Sequence, residues 1–369
     1  MLRFGNRGMR LSQYAFGLFV TVGAVSACSS ASADLIVAYD RPPPTFGAPR
    51  QEVLRQHGQS IRIDSRSEIG RTGVALLRQV FTRPGQAVTF EVGRFADGRL
   101  AFLSLMDDPF TAPPPASLRL FTGETQNRLG EQCRVWRVSR TTTYGNQFLQ
   151  TGCVTADGAE LWRRQANIDA IFATKVMRKP VPPGEVRPPT ELLELAKWTA
   201  RSRVLDHSHD YAVTLEPSHD KGPRRTARRS GDWTAVREEH RHNSQLSVMN
   251  PAEGIGLQYS RDQNGERRLG IYRRPVGNAP PAVPTGVRMP DRADEIILGE
   301  KCQWWDMMPG AADAGRHECR TADGVTLKVE YISRASMETA VAVGLKRGPQ
   351  PLSAVMPERE LVSAKAWGF

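Results

Sequence analysis

Beyond residue 27 the chain has no run of 18 apolar residues, so no later segment has the length of a membrane-crossing helix. The compact signatures of catalysis are missing too. There is no G-x-S-x-G, no H-E-x-x-H, no P-loop and no G-x-G-x-x-G. Ser218–Lys221 fits S-x-x-K, but no K-T-G accompanies it and it lies in a polar stretch rather than at a helix start. Only five cysteines occur and none form C-x-x-C, which argues against a dithiol redox centre or a zinc ribbon. No basic stripe interleaved with aromatics is present, so nucleic acid is not an expected partner.

What is present begins with a leader. Arg3, Arg7 and Arg10 precede the apolar stretch Tyr14–Ala27, with no acidic residue among them. That is a signal peptide, too short to span a bilayer comfortably. Two cleavage readings stay open. Val25-Ser26-Ala27-Cys28 reads as a lipobox, making Cys28 the acylated mature N-terminus, with residues 28–33 as a short tether. Alternatively Ala31-Ser32-Ala33 directs ordinary cleavage. Loss of residues 1–27 removes three arginines and lowers the net charge from +11 to +8. A basic envelope protein suits anionic head groups or acidic polysaccharide; a generic arginine-rich surface is the plainer reading.

The strongest organisational signal is internal repetition. Leu129–Leu161 (LGEQCRVWRV…GCVTADGAEL) parallels Leu298–Leu327 (LGEKCQWWDM…ECRTADGVTL). Glu191–Trp198 parallels Glu360–Trp367, and residues 90–105 parallel 257–273, at offsets between 166 and 169. Self-similarity over so long a period means two tandem copies, expected at 34–198 and 199–369, rather than a solenoid. Residues 64–85 have no clear partner.

The repeat organises the cysteines. With Cys28 acylated, four remain, and each copy holds two: Cys133 with Cys153, Cys302 with Cys319. Both pairs flank a polar segment between strand-like runs, where a hairpin brings its ends together. Within-copy disulfides are expected, each contributing about 3 kcal/mol in the chain-entropy model. Export permits them.

The fold class follows from the turns. Asp97-Gly98 and Asn264-Gly265 match across the copies, as do Asp157-Gly158 and Asp323-Gly324. All suit type I′ hairpins between alternating strands. The expectation is a mainly β, β-rich α+β protein. Each of its two duplicated domains is a curved antiparallel sheet of hairpins ending in an amphipathic helix, over Pro189–Trp198 and Pro357–Trp367. Trp198 and Trp367 would anchor those helices in the core.

This combination of lipobox, cysteine-bearing strand, polar hairpin and second cysteine followed by T-A-D-G-x-x-L resembles the half-barrel envelope lipoproteins. These are the LolA/LolB-type carriers and related periplasmic domains of unknown function. The resemblance covers mainly 88–165 and 257–332. It implies a sheet curved around an apolar groove under a helical lid. The second copy departs from it through Arg261, Arg267, Arg268, Arg273 and Arg274, which place charge where the groove would be apolar.

Five of the seven histidines fall between 207 and 242. His207-x-His209 and His240-x-His242 each point to one side of a strand, and together suit zinc or copper. The plainer reading is an exposed edge with a solvated basic loop at Lys221–Arg229. The expected function is a non-catalytic envelope lipoprotein in the periplasm, lipid-anchored to the inner leaflet of the outer membrane. It would bind an apolar or amphiphilic ligand, or an envelope protein, through its sheet face, with no cofactor. A metal-binding protein and an uncharacterised hydrolase are the alternatives.

Overall fold

The computed structural model describes residues 34–41, 50–69, 74–82, 88–107, 119–141, 147–165, 168–194, 197–198, 206–218, 223–273, 286–310, 314–333 and 336–369. The leader, Cys28 and the tether lie outside them. Residues 32–369 cluster as one compact unit.

The first half contributes β1 (Leu35–Arg41), β2 (Arg50–His57), β3 (Ser60–Ile69), β4 (Val74–Thr82), β5 (Val88–Phe95), β6 (Leu100–Asp107), β7 (Leu120–Arg128), β8 (Glu131–Thr141), β9 (Gln147–Val154), β10 (Glu160–Gln165) and β11 (Ile168–Met177). The second contributes β12 (Tyr211–Pro217), β13 (Arg224–Ser230), β14 (Trp233–Glu239), β15 (Ser244–Asn250), β16 (Ile255–Arg261), β17 (Arg267–Arg273), β18 (Val287–Arg288), β19 (Glu295–Ile297), β20 (Glu300–Asp306), β21 (Ala314–Arg320), β22 (Thr326–Ser333) and β23 (Met337–Arg347). All pair antiparallel. β6 and β17 join the halves, with Ser104 opposite Gly270. Outward from β6 the order is β5, β4, β3, β2, β1, β11, β10, β9, β8, β7. Outward from β17 it is β16, β15, β14, β13, β12, β23, β22, β21, β20, with β18 and β19 both on β20. Each half therefore has the same strand order.

Burial shows that both wings curl. Residues of β1–β4 and β8–β11 share one core cluster, including Leu35, Ile63, Cys133 and Ile171. Eight flat strands would span more than 30 Å at about 4.8 Å each, so mutual contact requires curvature. The second wing encloses Val213, Leu215, Ala227, Leu327 and Val329 likewise. A third cluster lies on the opposite face of the central strands. Neighbouring residues prove the change of face: Val80 belongs to the first wing's cluster and Phe81 to the central one. The central cluster packs Phe90, Leu105, Val248 and Leu257 against Trp198 and Trp367.

Both expected disulfides are present, Cys133–Cys153 and Cys302–Cys319, with Cα separations of 5.5 and 5.2 Å. The turns differ from expectation. At Asp97-Gly98, Asp157-Gly158, Asn264-Gly265 and Asp323-Gly324 only the glycine has positive φ. Each is a three-residue loop closed by two backbone hydrogen bonds, such as Gly98 N–H to Phe95 O at 2.9 Å and Phe95 N–H to Arg99 O at 2.9 Å. That is a type I turn followed by a left-handed glycine. In two of these loops Thr155 or Thr321 caps the turn, each accepting the backbone N–H of the residue four further on.

Among the described residues, the two-residue turns with positive φ at both positions are Leu129-Gly130 and Leu298-Gly299, at φ 54° and 76° and 53° and 79°. The repeated LGE(Q/K)C motif is thus a type I′ turn plus the strand carrying the cysteine. Both leucines are half exposed, and a left-handed non-glycine residue costs about 1–2 kcal/mol. Leu129→Asn should raise stability by about 1 kcal/mol in urea titration, because asparagine tolerates that region. A loss of stability would show that the leucine side chain contributes more than its backbone costs.

The two long amphipathic helices are replaced by shorter turns. The described helical residues are α1 (Pro183–Val186) and 3-10 turns at Thr190–Leu193, Leu352–Ala354 and Ala364–Trp367. A ten-residue helix is marginal on its own. Here each tryptophan turns inward and donates its indole N–H to the carbonyl six residues earlier: Trp198 to Leu192 and Trp367 to Leu361, both at 2.8 Å. Burying the indole decides the backbone path. The expected solvated loop at Lys221–Arg229 is also corrected: its described part forms β13, with Arg225 buried.

Candidate functional site

Two straps cross the central sheet, residues 178–194 with 197–198 and residues 347–369. They are held in matching ways. Arg178 donates to Glu131 (2.9 Å) and to Asp157 (3.3 Å). Arg347 donates to Glu300 (2.8 Å) and to Asp323 (3.2 Å). Each guanidinium thus ties the start of a strap to its own wing's cysteine strand and T-A-D-G loop. The hydrogen bonds they donate to these carboxylates hold both arginines' pKa above the ordinary value, and those from Arg178 hold Glu131 and Asp157 below theirs.

A second fastening uses one aspartate per half. Asp34 Oδ2 accepts the Val181 N–H at 2.8 Å and contacts His57 Nδ1. Asp210 accepts the N–H groups of Gln350 (3.0 Å) and Gly231 (2.7 Å) and meets His207 Nδ1 at 2.7 Å. Burial pushes the Asp210 carboxyl up, but these donors outweigh it and hold it below the usual range. Further along, two of the five arginines expected at the groove do another job; Arg261 and Arg268 are exposed, and Arg274 lies outside the described residues. On β17 the alternation puts Arg267 and Arg273 on the face of Leu269 and Ile271. Arg267 pairs with Asp107 (2.8 Å), donates to Ala366 O (2.8 Å) and lies over the Trp367 ring. Arg273 donates to Trp198 O. The two arginines therefore clamp the two straps.

Between strap and sheet each half leaves a cleft. The first, of about 470 Å³, is lined by Phe81, Pro183, Val186, Pro188, Thr190 and Phe369, with His57, Ser60, Thr82 and Arg187 at its polar parts. Phe369 meets Phe90 edge to face at 5.5 Å, so the last residue of the second half walls the first half's cleft. Two strand arginines near α1 are matched: Arg62 with Asp64 (2.8 Å), Arg55 with Asp64 and with Glu185 (3.3 Å). The second cleft, of about 390 Å³, lies under Ser353–Met356 and is polar, floored by Thr214, Arg224, Thr226, Arg228 and Arg237.

The structure does not bring the four candidate metal histidines together. His207 and His209 precede β12, beside the β13–β14 turn; His240 and His242 follow β14 at its other end. Seven residues of strand separate the pairs, about 23 Å. His207 is occupied by Asp210. Among the described residues no group of three or more ligating side chains is placed to hold a metal. His219 and Cys28 lie outside those residues. The strap fastenings went unread in the sequence although their signal was there: Arg178-Lys179-Pro180 matches Arg347-Gly348-Pro349 at the repeat offset.

No family model matches the chain. No curated protein matches it either. Among solved structures, PNGF-II in a C2 space group is similar at 8% identity, covering 86% of this chain and 95% of that one, with a TM-score of 0.30. MucB in complex with MucA(peri) gives 13% identity, 68% and 90% coverage and a TM-score of 0.20. The Pseudomonas aeruginosa MucA/MucB complex gives 12%, 68%, 91% and 0.20. Scores this low assign neither a fold family nor a function.

Proposed function

We infer that this is an exported, lipid-anchored envelope protein that binds an apolar or amphiphilic ligand without transforming it. We infer also that its two halves descend from a tandem duplication. The observation that carries the binding reading is the first cleft. It is of ligand size, walled by Phe81, Val186, Phe369 and two prolines, and roofed by a strap fixed at both ends. Two disulfides fit an oxidising compartment. No helix among the described residues is long and apolar enough to cross a membrane, so attachment would rest on acylated Cys28. Matching strand order, disulfides, strap arginines and tryptophans favour duplication.

Titration with cis-parinaric acid tests the binding reading. The mature, disulfide-bonded chain should bind it at one site. Thr190→Trp, which puts an indole into the cleft from the partly exposed first residue of its 3-10 turn, should weaken binding at least tenfold with an unchanged melting temperature. Equal affinity in the variant, or no binding to the wild type, would overturn it.

A further inference from the structure

The second cleft differs in chemistry from the first, and the difference is built on strand register. On β13 the residues Arg224, Thr226 and Arg228 share one face. Thr226 is directly opposite Thr214 on β12 and opposite Arg237 on β14. Two hydroxyls thus sit side by side at the centre of the floor. Three guanidiniums surround them, two along the strand and one across it, and all five side chains line the cleft. Diagonal neighbours on a sheet are about 7–8 Å apart. Arg237 stands at that spacing from both Arg224 and Arg228, which lie four residues, about 13 Å, apart along β13, and the three like charges repel one another unless something negative lies between.

The protein's own carboxylates fill only part of that need. Two carboxylates line the same cleft, Glu358 of the strap and Glu239, and they meet Arg237 at 2.5 Å and 3.9 Å. Arg224 reaches Glu216 only at 3.9 Å, between two exposed side chains, a contact worth little. Arg228 donates to the strap carbonyl of Ala354 at 3.2 Å, and among the described residues no carboxylate is paired with it. On the corresponding strands of the first half, Arg55 of β2 and Arg62 of β3 are matched by Asp64 and Glu185.

We propose that the second cleft is a site for a phosphate-type oxyanion, held by Arg228 and Arg224 over the paired Thr214 and Thr226 hydroxyls. Guanidiniums supply directional charge-assisted hydrogen bonds and threonine hydroxyls supply neutral donors, the combination that an oxyanion with several acceptor oxygens takes up. The anion offsets the repulsion among the arginines. The site does not depend on what fills the first cleft.

The test is calorimetric titration of the mature chain in 150 mM salt. The probes are inorganic phosphate and, separately, dihexanoyl phosphatidylglycerol below its micelle concentration. One site is expected for at least one probe, weakened tenfold or more in Arg228→Gln and in Arg224→Gln, and left within twofold by Thr190→Trp in the first cleft. Tighter binding of the lipid than of phosphate would identify a head-group site; equal binding would identify a site for the free anion. Both arginines are exposed at the cleft, so neither variant should unfold. Binding of neither probe, or unchanged affinity in both arginine variants, would overturn the proposal.

Discussion

Glu318→Ala should destabilise the protein by about 3–5 kcal/mol, the largest single effect expected outside the core. Glu318 is 2% exposed on β21, inside the second wing. It receives Arg316 at 2.7 Å, Arg320 at 2.7 Å, the Thr326 hydroxyl at 2.7 Å, and Arg225 at 3.4 Å from β13 across the curl. Arg316 and Arg320 reach solvent on removal of the carboxylate, but Arg225 is 6% exposed and would be left buried with Glu238, at 3.7 Å, as its one remaining carboxylate among the described residues. Uncompensated buried charge dominates such losses. A double variant, Arg225→Met with Glu318→Leu, should therefore recover at least half of what Glu318→Ala loses. Failure of the double variant to recover would show that the hub contributes mainly by its own attraction.

The same carboxyl makes stability depend on acid. Burial pushes its pKa up, but Arg225, Arg316, Arg320 and the Thr326 hydrogen bond more than offset that and bring it to about 2. With an ordinary value of 4.5, the unfolded chain takes up the proton first. The contribution, roughly 3 kcal/mol, is complete above about pH 4.5 and is lost as pH falls towards 2. Urea midpoints from pH 5 to pH 2.5 should fall more steeply for wild type than for Glu318→Gln; parallel slopes would contradict the assignment.

The second large effect is at the strap anchors. Trp198→Ala and Trp367→Ala should each cost about 3–5 kcal/mol, the range for deleting a buried large aromatic. Both are essentially fully buried in the central cluster. Their settings are near copies, with indole N–H to a carbonyl at 2.8 Å in each and a β17 arginine on the strap. Comparable losses are therefore expected. Trp367→Ala should also impair cis-parinaric acid binding, because Phe369 lies two residues on and walls the first cleft. Free energies from urea titration, with one variant neutral, would break the equivalence of the two straps.

Much of the sheet was legible in the sequence because its information is local. Alternation, glycine-containing turns and the repeat offset marked the hairpins, and the hairpins placed Cys133 near Cys153 and Cys302 near Cys319. The turn types differ from expectation because a glycine after aspartate or asparagine fits two loop geometries. The hydrogen bonds between Phe95 and Arg99, not the dipeptide, decide between them. The helices failed because periodicity reports an apolar face but not whether burying an indole outweighs a helical backbone. The basic stretch around Arg225 read as solvated because its acidic partner lies 93 residues away. The clefts were invisible for the same reason. They exist only where the straps fold back over strands from the start of each half, and two of the arginines expected to spoil a groove, Arg267 and Arg273, hold those straps in place.

Native mass spectrometry of the protein isolated from cell envelopes without detergent tests the binding role most directly. The expected result is a mature chain beginning at acylated Cys28, with two disulfides and one bound amphiphile that is absent from Thr190→Trp. A bare chain in both, or the same adduct at the same occupancy in both, would contradict it.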